Sequence, residues 1–127
     1  MLLLDSQVVL WLVDDSPRLG RNARDRIENA DIVYVSAATI WELTIKRMLG
    51  KLELPDAFDV ALSDQGITHL PVTAGHAAGI EEFPELLRHD PVDRLLVAQA
   101  ARERCDLLTA DQVLLATSYP FVIDATR

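Results

Sequence analysis

Apolar residues fall along the chain in short runs, and each run has its own period. Leu2-Leu3-Leu4 is apolar throughout and too brief for a helix, which fits a strand buried on both faces. Val8 to Val13 then predicts a helix, so the first unit is a strand feeding a helix. Between Arg21 and Asn29 the residues Ala23, Ile27 and Ala30 recur at three- and four-residue spacing among charges, the pattern of an amphipathic surface helix. The run Arg18, Arg21, Arg24 and Arg26 reads as its solvated face. Ile32-Val33-Tyr34-Val35 is β-branched and aromatic and predicts a second buried strand. Ser36 is placed to cap a helix running from Ala38 to Leu49, which Gly50 ends.

Proline and glycine punctuate the middle of the chain. Leu54-Pro55 is a breaker, Ala57 to Ser63 predicts a short helix, and Ile67 to Val72 a third strand before Thr73 caps another helix. Asp90-Pro91 opens a helix that continues to Arg104, the strand Asp106 to Thr109 follows, and Phe121-Val122-Ile123 is the last strand. Strands alternating with helices predict an α/β fold in which residues 1–127 form a single domain, a central parallel sheet of four to five strands with helices on both faces. Strand order is not contained in this pattern.

Composition narrows the class. Half of the 127 residues are apolar and a quarter charged, enough to bury one sizeable core. The single Cys105 excludes an internal disulfide, reads as a core residue and fits a reducing compartment. No apolar run approaches the roughly 20 residues of a membrane span, so a cytoplasmic protein without membrane attachment is expected. Twenty acidic residues against 12 basic give a net charge of −8, which opposes broad, non-specific binding to nucleic acid. That objection weakens if some of the acids surround a cation while Lys46, Arg47 and Lys51 meet a phosphate backbone.

In such a fold, ligands bind where strand C-termini and helix N-termini share one edge of the sheet. Four acids are expected there. Asp5 directly follows the first strand, Glu42 lies about a turn into the helix after the second, Asp93 opens the helix before Asp106–Thr109, and Asp111 follows that strand. Each has a plainer reading: Asp5 as a turn residue, Asp93 as an acid in a first turn, and Asp111 as an N-cap. Their convergence carries the argument. Asp5 and Glu42 have apolar neighbours in sequence, and Asp5, Glu42 and Asp111 have no adjacent Lys or Arg, so a cation must offset their repulsion. An oxygen-only cluster suits Mg²⁺, with Mn²⁺ as a substitute.

His69, His76 and His89 share no metal-binding spacing and read as surface or capping residues, so no catalytic histidine is expected. Neither Ser6 nor Ser36 lies in a Gly-x-Ser-x-Gly elbow, and there is no Walker A loop and no Gly-x-Gly-x-x-Gly.

Four segments taken in order resemble PIN domains of the VapC type: Leu2-Leu-Leu-Asp5-Ser6; Ser36-Ala-Ala-Thr-Ile-Trp41-Glu42-Leu with Lys46-Arg47 and Gly50-Lys51-Leu52; Asp90-Pro-Val-Asp93-Arg94-Leu-Leu-Val-Ala-Gln; and Leu107-Leu-Thr109-Ala-Asp111. The resemblance spans essentially the whole chain. It implies a metal-dependent endoribonuclease whose acids are Asp5, Glu42, Asp93 and Asp111, with Asp90 auxiliary and with Ser6 and Thr109 orienting carboxylates. Lys46, Arg47 and Arg94 are then candidates for phosphate contacts. Relatives often carry Asp-Thr-His where this chain has Asp5-Ser6-Gln7, which leaves the role of position 7 open.

The same resemblance implies cleavage of RNA to 3′-hydroxyl and 5′-phosphate ends and a place as the toxin of a toxin–antitoxin pair. Its partner would be a VapB antitoxin covering the acidic cleft, with operator DNA bound only through that antitoxin, and the toxin itself a homodimer. Trp11 and Trp41 would line the antitoxin groove, a dimer interface or simply the core. Two other readings stand beside this one. A receiver or phosphatase-like domain also gathers acids at strand ends, but Asp5 lacks an acidic neighbour and His69-Leu70-Pro71 offers no phosphoacceptor. A catalytically silent PIN-type binding module sits poorly with an intact acidic set.

Overall fold

A computed structural model describes residues 1–127. Strand β1 (Leu2–Leu4) leads into α1 (Ser6–Val13) and α2 (Arg21–Asn29); β2 (Val33–Ser36) is followed by α3 (Ala37–Met48) and α4 (Phe58–Asp64). Then come β3 (Thr68–Leu70), α5 (Ala74–Gly79), two single 3₁₀ turns at Ile80–Glu82 and Pro84–Leu86, α6 (Pro91–Glu103), β4 (Asp106–Thr109), α7 (Gln112–Leu115) and β5 (Val122–Asp124). All five strands are parallel, in the order β3-β2-β1-β4-β5.

The sheet is covered on both faces, and the alternation of β1 shows why three leucines suffice to start it. Leu2 and Leu4 point into one core with Val8, Val9, Leu43, Phe58 and Leu62; Leu3 points into the other with Leu96, Val97, Leu107 and Leu114. All three leucines of β1 are almost wholly inaccessible, as a central parallel strand requires. Cys105 is buried and unpaired.

Element ends differ from the sequence pattern by one or two residues, for identifiable reasons. Helix α1 begins at Ser6 rather than Val8 because the Asp5 carboxylate caps it. Ser36 both closes β2 and caps α3, accepting a bond from Ala38 N–H at 3.1 Å. Gly50 ends α3 at φ 72°, in the left-handed region that glycine enters without steric cost. Strand β3 is only three residues long, and β5 starts at Val122. The 3₁₀ turns carry no apolar period, so the pattern gave no warning of them. No helix is long and apolar enough to cross a membrane.

Candidate active site

The chain leaves the central strand β1 toward β2 on one side and returns to β4 on the other. Between β1 and β4 the direction of winding therefore reverses, and a crevice opens beyond the strand ends. Asp5 follows β1 and Asp111 follows β4, so two acids 106 positions apart in sequence sit on neighbouring strands at that crevice. Asp93 stands in the first turn of α6 and Glu42 in α3, and both line the same cleft of about 970 Å³.

Three acids at this edge hold helix N-termini as well. Asp5 Oδ1 accepts from Val8 N–H at 2.9 Å, Asp90 Oδ1 from Val92 and Asp93 N–H at 2.9 and 3.1 Å, and Asp111 Oδ1 from Val113 and Leu114 N–H at 2.9 and 3.0 Å. Each cap uses one carboxylate oxygen and leaves Oδ2 for other partners. Capping thus fixes the rotamer of a carboxylate that the cleft can use.

Thr109 ties two of the acids together. Its hydroxyl, itself wholly buried, donates to Asp5 Oδ2 and accepts the Asp111 backbone N–H at 3.0 Å. Asp5 is only 4% exposed, and its burial raises the carboxyl above the usual carboxylate range despite the bonds from Thr109 and Val8. Asp93 is pushed up to about 7, first by burial and then by the charges of Asp90, Asp111 and Asp5. No Lys or Arg lies within 4.0 Å of Asp5, Glu42, Asp93 or Asp111. This donor set of clustered, under-compensated carboxylates fits a hard divalent cation.

The cluster also contains His89, expected from its spacing to be a surface or capping residue. His89 Nε2 lies 3.1 Å from Asp93 Oδ2 and 3.3 Å from Asp111 Oδ2, and ligand atoms of these three residues all lie within 4.8 Å of one another. His89 is therefore neither a free surface group nor a cap. Its place four residues before Asp93 was the available signal, but the intervening Asp90-Pro91 made the two look separated by a helix start. Asp5 and Glu42 lie outside this closest group, Asp5 at the cleft floor and Glu42 on its wall.

The remaining expected site residues divide. Lys46 borders the cleft, as do Ser6, Gln7, Trp11 and, unexpectedly, Arg18. The Ser6 hydroxyl points to Thr39 Oγ1 at 3.5 Å and not to a carboxylate. Arg47 turns away and pairs with Asp56 at 2.8 Å, and Arg94 lines a separate hollow with Phe83 and Leu87. Neither lies within 4.0 Å of the acids or lines their cleft. Trp41 is 63% exposed, which removes it from the core. His76 does serve in a capping box with Thr73, but it is buried there, with Glu103 on its Nε2 at 2.8 Å. Arg24 is half-buried by its bonds to Asp15 and the Leu19 carbonyl, so the arginine run is not uniformly solvated.

The family model described as PIN domain matches residues 2–118. A curated relative, ribonuclease VapC22 of Mycobacterium tuberculosis, is 29% identical over 120 residues, covering 93% of this chain and 92% of its own length. Among solved structures, a toxin–antitoxin complex from Klebsiella pneumoniae superposes with a TM-score of 0.67 at 15% identity, covering 97% of this chain and 96% of the other. VapBC2 from Rickettsia felis, bound to a promoter DNA fragment, gives 0.68 at 17% identity with the same coverage. At these identities the structural likeness is one of fold.

Proposed function

The chain belongs to the PIN-domain family, and from that premise we propose that it is a divalent-cation-dependent endoribonuclease acting as the toxin of a toxin–antitoxin pair. The observation that carries the reading is the convergence of Asp5, Glu42, Asp93 and Asp111 on one cleft with no Lys or Arg within ion-pair distance. The ribonuclease relative, similar over nearly all of its length, supplies the substrate class.

Asp93 and Asp111 are the direct ligands in this reading, with Asp5 and Glu42 holding the cation directly or through water. When bound, Mg²⁺, or Mn²⁺ in its place, supplies Lewis acidity to the attacking water and to the scissile phosphate. Glu42, which lines the cleft, would orient that water, and Asp90 adds negative charge beside Asp93. Thr109 keeps Asp5 and Asp111 in register. Lys46 and Arg18, both at the rim, are the cations available to the RNA backbone. Hydrolysis by an activated water leaves 3′-hydroxyl and 5′-phosphate ends.

The partner is an antitoxin of the kind found in the similar complexes. A segment presenting a basic group would meet the acidic cleft. On α3, Trp41, Ile45 and Met48 are exposed at helical spacing and, with the C-cap Leu49, offer an apolar face to such a partner or to a second copy. Operator DNA would be bound through the antitoxin, in keeping with the −8 charge of this chain.

The test is cleavage of total cellular RNA by purified, antitoxin-free protein with and without Mg²⁺, beside Asp5→Asn and Asp93→Asn, with fragment ends mapped. Discrete cation-dependent cuts lost in both variants are expected. Folded protein that cuts with no divalent ion present, or that never cuts, overturns the reading, the latter in favour of a binding module.

A further inference from the structure

We propose that His89 is itself a metal ligand, so that the cleft holds its cation through mixed nitrogen and oxygen donors and binds Mn²⁺ more tightly than Mg²⁺. The proposal rests on the cation-dependent reading above and specifies which ion that site selects.

Three observations carry it. First, the separations are those of neighbouring ligands. Donor atoms about 2.1 Å from a small octahedral ion and at right angles to each other lie about 3 Å apart, and His89 Nε2 stands 3.1 and 3.3 Å from the free Oδ2 atoms of Asp93 and Asp111. Second, the ring is held in place. His89 lies at the end of the segment before α6, where its backbone N–H donates to the Leu86 carbonyl at 2.9 Å, and its side chain is 18% exposed. Third, the tautomer is available. Nδ1 has no hydrogen-bond partner within the protein, so it can carry the proton toward water and leave the Nε2 lone pair facing the carboxylates.

An imidazole changes the selectivity of a site otherwise built of oxygen. Carboxylate and water suit Mg²⁺, whereas nitrogen donors strengthen binding of first-row transition ions in particular. His89 is also the only Lys, Arg or His side chain within 4.0 Å of any of the four cleft acids, so the competing role for it is that of a counter-ion to Asp93 and Asp111. The two roles predict opposite effects of removing the ring. A ligand's loss weakens metal binding; a counter-ion's loss strengthens it.

The experiment titrates metal-stripped full-length protein with MnCl₂ alone and MgCl₂ alone by calorimetry at pH 8, for wild type, His89→Gln and His89→Ala. Electron spin echo spectra of the Mn²⁺-loaded wild type are recorded alongside. Expected are tighter binding of Mn²⁺ than of Mg²⁺ and a ¹⁴N coupling from a directly bound imidazole. Loss of the ring should weaken Mn²⁺ binding about 10- to 100-fold and Mg²⁺ binding less than about threefold. Mn²⁺ bound without nitrogen coupling, or bound equally well or better by folded variants, overturns the inference and leaves the nuclease reading standing. Failure of wild type to bind either ion removes both. The spectrum needs only wild-type protein, so the inference stays exposed to disproof even if neither variant folds.

Discussion

At the scale of single residues, Thr109 and Asp93 show how the cleft is tuned. Thr109 gives its one proton to Asp5 and takes the Asp111 N–H, so an isosteric methyl in place of its hydroxyl strips a buried carboxylate of a partner. Thr109→Val should cost about 2–3 kcal/mol of stability, read as a lower urea midpoint with unchanged slope. Asp93 makes a pH prediction whose sign is fixed by its raised value. A carboxyl that is harder to ionise in the folded state than in the unfolded chain costs nothing while both are protonated, below about pH 4; the cost grows as pH rises from about 4 to about 7 and is complete above that. In metal-free protein at pH 8, Asp93→Asn should therefore be more stable than wild type by about 1–2 kcal/mol, an amount discounted for partial exposure, with the gain gone by pH 4. Thermal melts across that range check it. Saturating Mg²⁺ should reverse the order, because the cation stabilises only the protein that retains its ligand.

At the scale of elements, the site is a by-product of how helices begin. Of the caps, Asp111 was legible because Asp before an apolar run marks an N-terminus, and the start of α6 because of Pro91; Asp5 read as a turn residue, and its cap lengthens α1 by two residues. Asp5 and Asp111 were legible as site candidates because each follows a strand, and Asp93 because it opens α6, whereas Asp90 entered only through the family resemblance. What the pattern lacked was His89, since nothing in a local period reports that a side chain before one helix will meet the cap of another. Helix ends also explain a cost the chain carries. Arg104 terminates α6 at φ 56°, a left-handed conformation in which a side chain is strained and glycine is not. Arg104→Gly should raise stability by about 0.5–1 kcal/mol, seen as a higher melting temperature with metal binding unchanged, because Arg104 lies at the end of α6 far from the cleft.

At the scale of the molecule, one side of the cleft depends on the C-terminal segment folding back. Helix α2 has no side-chain cap; its Ala23 N–H donates instead to the Arg127 carbonyl at 2.9 Å, and Gly20 N–H to Ala125 at 2.9 Å. A methyl on Gly20 would stand 2.1 Å from the Arg127 carbonyl oxygen, well inside contact distance, and the obstacle is backbone. Gly20→Ala should thus release the segment that brings Thr126 to the cleft, at a cost of about 1–3 kcal/mol. Hydrogen exchange should show lost protection at Ala23 and around β5, while β1 and β2 keep theirs; intact protection at Ala23 would mean the segment had shifted without detaching.

The sequence by itself determined the succession of strands and helices, the two-sided burial of a parallel sheet, and which acids lie at strand ends and helix starts. These are local matters: a period of two or of 3.6, a cap, a proline in a first turn, each set by the nearest few residues. Only the tertiary structure decided that β1 and β4 are neighbours, that Arg47 and Arg94 face away from the acids, that Trp41 is exposed, and that His89 joins Asp93 and Asp111. Those facts depend on strand order and on the angle at which each helix crosses the sheet. Both are fixed by packing between residues far apart in the chain, which no local pattern encodes.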